Sequence, residues 1–134
     1  MKRGLCIILA VGVLSVSVVL FLFFGNRVEL DVVENAEVMF AYENIEVCEQ
    51  VSEQELLMIQ SIFDGKKYFR DNPSCGFSVK ISLKINDEYT FGFARDACPI
   101  LYWYERDVYI RLTEEEQEKL YDLVRKYGGF FPCI

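Results

Sequence analysis

Histidine is absent from all 134 residues, and that absence closes off much of catalytic chemistry. There can be no Ser-His-Asp or Cys-His arrangement, no HExxH helix and no imidazole general base. GxSxG, the P-loop and GxGxxG are missing too, and no CxxC pair occurs, so a zinc site lacks its usual ligand spacing. No Pro/Gly-rich linker or low-complexity stretch divides the chain, which has room for one domain. Acidic pairs such as Asp87/Glu88, or Asp96 beside Arg95, could in principle do acid–base work. A chain this short seldom forms the cleft that a carboxylate pair needs. "TEEEQE", Thr113 to Glu118, lacks the DxDxDG spacing of a calcium loop, and first-turn glutamates point around a helix axis instead of converging. No catalytic, cofactor or metal site is therefore expected, and the chain does not read as an enzyme. Pro73 also disqualifies Asn72-Pro73-Ser74 as a glycosylation site.

What is there begins with a long apolar run. Lys2 and Arg3 precede "LCIILAVGVLSVSVVLFLFF", uncharged from Leu5 to Phe24. As a helix it rises about 30 Å, the thickness of a bilayer core. A cleaved signal peptide is the rival reading. Cleavage at the small pair Ser15 and Ser17 would leave "VVLFLFF" on the mature chain, and the true boundary, Phe23-Phe24-Gly25, is too bulky for a peptidase. The expectation is an uncleaved signal anchor: a cytoplasmic tip at 1–4, a membrane span at 5–24 in contact with the lipid bilayer, and an extracytoplasmic domain at 25–134. Lys2 and Arg3 hold the N-terminus in the cytoplasm by the positive-inside rule.

Setting Lys2 and Arg3 aside, the exported part keeps 12 of the 14 basic residues against all 21 acidic ones, a net charge of −9. Such a domain is repelled by nucleic acid and by anionic headgroups. Four of its residues are cysteines: Cys48, Cys75, Cys98 and Cys133. An even set in a small exported domain reads as two disulfides, with three possible connectivities.

The rest reads as strands–helix–strands–helix. Residues 28–51 alternate in two or three short strands, the first through Val28, Leu30 and Val32. Ser52 and Glu55 form a capping box for a helix whose stripe is Leu56, Ile59 and Phe63, ended by Gly65. "GFSVKISLKI" alternates, with Phe77, Val79, Ile81, Leu83 and Ile85 on one face, and pairs with "YTFGFARDA" through Asn86-Asp87-Glu88. "PILYWYERDVYIRL" forms the next hairpin. Thr113 and Glu116 then cap a helix with a stripe of Leu120, Leu123, Val124 and Tyr127, and with expected pairs Glu115–Lys119 and Asp122–Lys126. The two strand-to-helix units fit either an internal duplication or convergence on the same capping chemistry. The fold class is α+β: an antiparallel sheet with two helices on one face, a two-layer domain behind the N-terminal transmembrane helix.

Register bears on the cysteines. Ile85 opposite Tyr89 places Cys75 opposite Pro99, one residue out of line with Cys98. One β-bulge, expected at Gly92, corrects this and makes Cys75–Cys98 the preferred bridge. Cys48 is then left for Cys133, which would tie down the tail "GFFPCI" while Phe130 and Phe131 pack beneath the sheet or the helices.

The segments "NPSCGFSV", "DACPILYW", "LTEEEQEKL" and "KYGGFFPCI" resemble those of small exported or membrane-anchored bacterial proteins of unassigned function. The resemblance implies an extracytoplasmic bacterial domain and no activity. In the last hairpin, Glu105 opposite Val108 pairs Trp103 with Ile110 and Tyr104 with Tyr109. Tyr102, Tyr104, Tyr109 and Arg111 then share the face that the helices leave open, as a candidate site for a protein partner. Two functions follow: a membrane-tethered binding or regulatory module, or a small inhibitor or immunity-like protein acting on an exported enzyme or toxin. Intact-mass analysis checks the anchor. The full-length chain is expected in the membrane fraction, and a mature form beginning beyond Ser17 would contradict it.

Overall fold

The computed structural model describes residues 12–20, 25–96 and 98–131. Of the expected membrane span, residues 12–20 form an exposed helix, α1, and the remainder lies outside the described residues. Both serines of α1 are satisfied within it: Ser15 Oγ donates to the Gly12 carbonyl and Ser17 Oγ to that of Val13, each at 2.8 Å. Among the described residues no helix is long and apolar enough to cross a membrane.

Seven strands build one antiparallel sheet: β1 (Ala36–Tyr42), β2 (Ile45–Gln50), β3 (Tyr68–Phe69), β4 (Phe77–Ile85), β5 (Tyr89–Ala94), β6 (Ile100–Trp103) and β7 (Val108–Arg111). Their spatial order is β2-β1-β4-β5-β6-β7-β3. Helices α2 (Glu53–Phe63) and α3 (Glu114–Lys126) cover one face. Phe63 of α2 packs on Phe91, and Tyr121 of α3 meets Phe93, two residues along the same strand and so on the same side. Val38, Phe40, Leu83, Ile85, Leu101 and Trp103 complete this core, each at most 1 % exposed.

Both capping boxes form, with Ser52 and Thr113 as N-caps. The pair Glu115–Lys119 forms at 2.6 Å, but Asp122 pairs with Arg125, and Lys126 reaches Glu55 across the helix pair. The reason is local: the N-terminus of α2 lies against the C-terminus of α3. Glu55 accepts from Lys126 Nζ, from the Ser52 N–H and hydroxyl, and from the Tyr127 hydroxyl. At the other end Lys66 pairs with Glu116. The two helices are thus clamped at both ends.

The expected strand through Val28, Leu30 and Val32 does not form. Val28 is buried and Val32 is 76 % exposed, with a single β-bridge at Arg27 to Lys67. Residues 26–28 instead run along 65–68, with bonds such as Val28 N–H to the Lys66 carbonyl at 2.7 Å, and screen the outer edge of β3. Side chains take the backbone groups that follow. Gln60 accepts from Val33, and Asn86 accepts from Glu34 and donates to Val32. Satisfied this way, the segment needs no ladder.

The tail is held by its rings. Phe131 stacks on Tyr121 at 3.9 Å and meets Phe93 at 5.8 Å, while Phe130 lies on Phe40 at 4.9 Å. Gly128, at φ +91°, ends α3, and a side chain on Gly129 would stand 2.6 Å from Val124. Cys75 and Cys98 are disulfide-bonded, their Cα atoms 6.4 Å apart. Cys48 is an exposed free thiol opposite Met39, on the sheet face away from the helices. A hydrogen bond to Glu37 and burial push that thiol's pKa up. Its expected partner, Cys133, lies outside the described residues.

Burial raises the Glu55 pKa, but the hydrogen bonds from Lys126, Ser52 and Tyr127 outweigh it and bring it down from 4.5 to about 2. A depressed carboxylate stabilises the fold above its unfolded pKa, and that contribution is lost as pH falls from 4.5 towards about 2. Screening of the exposed Lys126 leaves about 1–2 kcal/mol of it. Glu55→Gln is expected to lower stability by about that amount at pH 7 and to flatten the acid limb of a stability–pH profile. Parallel profiles for the two proteins would show that Glu55 contributes nothing special.

Candidate functional site

The open face of the sheet gains one of its rings from an irregularity in β4. From Ile85↔Tyr89 to Ser82↔Gly92 the register is the expected one; then Ser78 stands opposite Phe93. Val79, Lys80 and Ile81 have no partner on β5, and β1 pairs no further than Phe40↔Ile81. The interruption is therefore in β4, across from Gly92, and spans three residues instead of the single extra residue expected. An odd insertion reverses the in–out alternation beyond it. Phe77, expected on the core face with Val79 and Ile81, pairs with Ala94 and lies on the open face. Local side chains replace the missing ladder bonds: Ser78 Oγ accepts from the Lys80 N–H at 3.2 Å, and Ser82 Oγ donates to the Val79 carbonyl at 2.8 Å.

Phe77 meets the hairpin's tyrosines. Its ring lies 5.8 Å from Tyr102 and 5.5 Å from Tyr109. Tyr102 contacts Tyr109 at 5.1 Å and Tyr104 at 4.6 Å, and Phe69 of β3 lies 5.7 Å from Tyr109. The Arg111 guanidinium stands 5.6 Å over Phe69. Five rings and one cation thus form a continuous patch across β4, β6, β7 and β3. These separations suit tilted and edge-to-face pairing.

All four expected residues share this face. The hairpin register is Trp103↔Val108, Leu101↔Ile110 and Tyr102↔Tyr109, two residues from the expected one. Tyr102, not Tyr104, therefore stands opposite Tyr109. A shift of two keeps every side chain on its face. Its cause is a four-residue turn, Tyr104 to Asp107, closed by Asp107 at φ +52°, a conformation Asp tolerates. Tyr104 then falls over Gly92: a Cβ there would stand 2.7 Å from its ring. The glycine is a seat for a ring and not a bulge.

Two hydroxyls are anchored. Tyr102 donates to Asp107 at 2.7 Å, and Tyr109 donates to Asn72 at 3.0 Å. The hydrogen bond to Asp107, followed by burial, pushes the Tyr102 pKa up to about 12. Burial also raises that of Tyr104. Tyr102 and Tyr104 are therefore neutral at physiological pH. Tyr109 is buried at 9 %, Tyr102 and Tyr104 are half-buried, and Arg111 is exposed. The patch is pre-formed, with rotamers fixed by mutual packing, so ordering it on contact costs little entropy. The sequence reading missed Phe69 and Phe77: the first sits on a two-residue strand with no readable period, the second beyond the parity reversal.

Comparison of the chain with protein-family models, with curated proteins and with solved structures finds no match.

Gly92→Ala is expected to displace the Tyr104 ring. In a thermal or chemical unfolding cycle with Tyr104→Ser, the alanine should cost about 1 kcal/mol more when the ring is present than when it is absent. A coupling of zero would separate Gly92 from the patch.

Proposed function

We propose that this chain is a membrane-tethered, extracytoplasmic protein-binding module without catalytic activity. Its binding surface is the aromatic patch of Tyr102, Tyr104 and Tyr109 with Arg111, extended by Phe69 and Phe77. The observation that carries this reading is the continuity of five rings on a sheet face that neither α2 nor α3 covers. Tyrosine and arginine are the residues that most often anchor interfaces, and rigid rings lose little freedom when they do so. The apolar run from Leu5 to Phe24 behind Lys2 and Arg3 supports the tether, and the Cys75–Cys98 bridge suits an oxidising compartment. A chain without histidine has few routes to acid–base chemistry near neutral pH, which supports binding over catalysis.

The alternative, a small inhibitor or immunity-like protein, would use the same face and differ in the fate of the partner. One experiment separates them. The full-length chain is crosslinked in its native membrane, the captured protein is identified, and that protein's activity is measured with and without the chain. Tyr102, Tyr104 and Tyr109 are replaced together by threonine, and Tyr104→Thr with Arg111→Ala serves as a milder variant that spares the buried Tyr109. Capture should fall at least about tenfold in both. Inhibition of the captured protein would favour the second function. Undiminished capture by folded variants would show the patch to be scaffold.

A further inference from the structure

The irregularity in β4 does more than turn Phe77 outward. Where Val79 and Lys80 leave both neighbouring strands, a cavity of about 430 Å³ opens beside the β1–β2 turn, with Ser78, Lys80, Arg95, Tyr42 and Glu43 in its lining. That volume is in the range of small-ligand sites. Its charge is unusual for so acidic a chain. Most basic side chains are engaged: Lys66, Lys84, Lys119, Arg125 and Lys126 in ion pairs, Arg106 and Arg111 over aromatic rings. Among the described residues, Lys67, Arg70, Lys80 and Arg95 make no side-chain hydrogen bond, ion pair or ring contact, and two of these four line this one cavity. Glu43 lines it as well and pairs with neither. Arg95 is placed by its backbone, whose N–H donates to the Gly76 carbonyl at 2.9 Å, and its guanidinium passes where a Gly76 side chain would stand, 3.4 Å from that Cβ position.

We infer that this cavity is a binding site for the oxyanion of a small ligand, a phosphate, sulfate or carboxylate group. Arg95 supplies a planar fork of donors and Lys80 a compact positive charge, the combination that recognises such groups. The site stands on the cavity and its unpartnered cations, independently of the aromatic patch.

The test uses the full-length chain in detergent micelles. Inorganic phosphate and acetate are titrated separately at constant ionic strength, with chloride as the control, and backbone amide shifts are followed by NMR. Saturable binding of at least one oxyanion is expected, with shifts concentrated at Ser78, Lys80, Ile81 and Arg95; which probe saturates distinguishes a phosphate ligand from a carboxylate one. Lys80→Gln and Arg95→Gln each weaken it about tenfold or more, and Arg95→Lys recovers part of the loss. Lys67→Gln and Arg70→Gln, which remove the other two unpartnered cations, leave it unchanged. Both site side chains are exposed and unpaired, so unfolding midpoints stay at the wild-type value. Absence of saturation by either probe, equal losses in the control variants, or shifts spread over the whole surface would each overturn the assignment.

Discussion

The constraint from which the open face follows is the parity of β4. Between Ser82 and Ser78 the strand spends three residues that β5 does not match, and an odd number turns every later side chain over. Phe77 therefore leaves the core and joins the tyrosines of β6 and β7. Two of the three, Val79 and Lys80, also leave β1, which pairs with β4 no further than Phe40, and the gap becomes the cavity lined by Lys80 and Arg95. One irregularity thus both adds Phe77 to the aromatic patch and opens the basic pocket. Its cost in ladder hydrogen bonds is offset in part by the hydroxyls of Ser78 and Ser82, which sit at its two ends.

The opposite face is conventional, and its stability comes from different sources. Phe63 on Phe91 and Tyr121 on Phe93 dock the two helices, and ionic clamps at both ends fix how they lie together. The tail adds Phe131 to the same layer. The Cys75–Cys98 bridge closes a loop between residues 23 apart, which in the chain-entropy account contributes about 3 kcal/mol, mainly by restricting the unfolded chain. That bridge joins the segments leading into β4 and out of β5, so it also holds together the region where the parity reversal occurs.

Much of this was legible in the residues, because local chemistry specified it. Ser52 with Glu55 and Thr113 with Glu116 announced both helices, and the alternation from Ile81 to Ile85 announced the inner face and its register with Tyr89. The same register makes Cys75–Cys98 reachable with one irregularity; the bridge is present, and the irregularity is three residues long and lies in β4. What could not be read depended on contacts distant in sequence. Nothing near Phe77 marks the reversal, since Val79 and Lys80 continue a pattern of perfect alternation. Lys126 looked like the partner of Asp122 until the fold brought Glu55 beside it. The hairpin turn was two residues off because Asp107 closes a longer loop than the strand pattern implied, yet its faces survived the error. The four residues expected on the open face are there for that reason, while Phe69 and Phe77 emerged only from the three-dimensional arrangement.

The position of one ring tests this account most directly. In the full-length chain, nuclear Overhauser contacts from the Phe77 ring protons are predicted to reach the rings of Tyr102 and Tyr109. Contacts to Phe93, Tyr121 or Phe131 would place Phe77 in the core. They would mean that β4 alternates without interruption, so that Phe77 would not belong to the patch and the pocket would lose its origin.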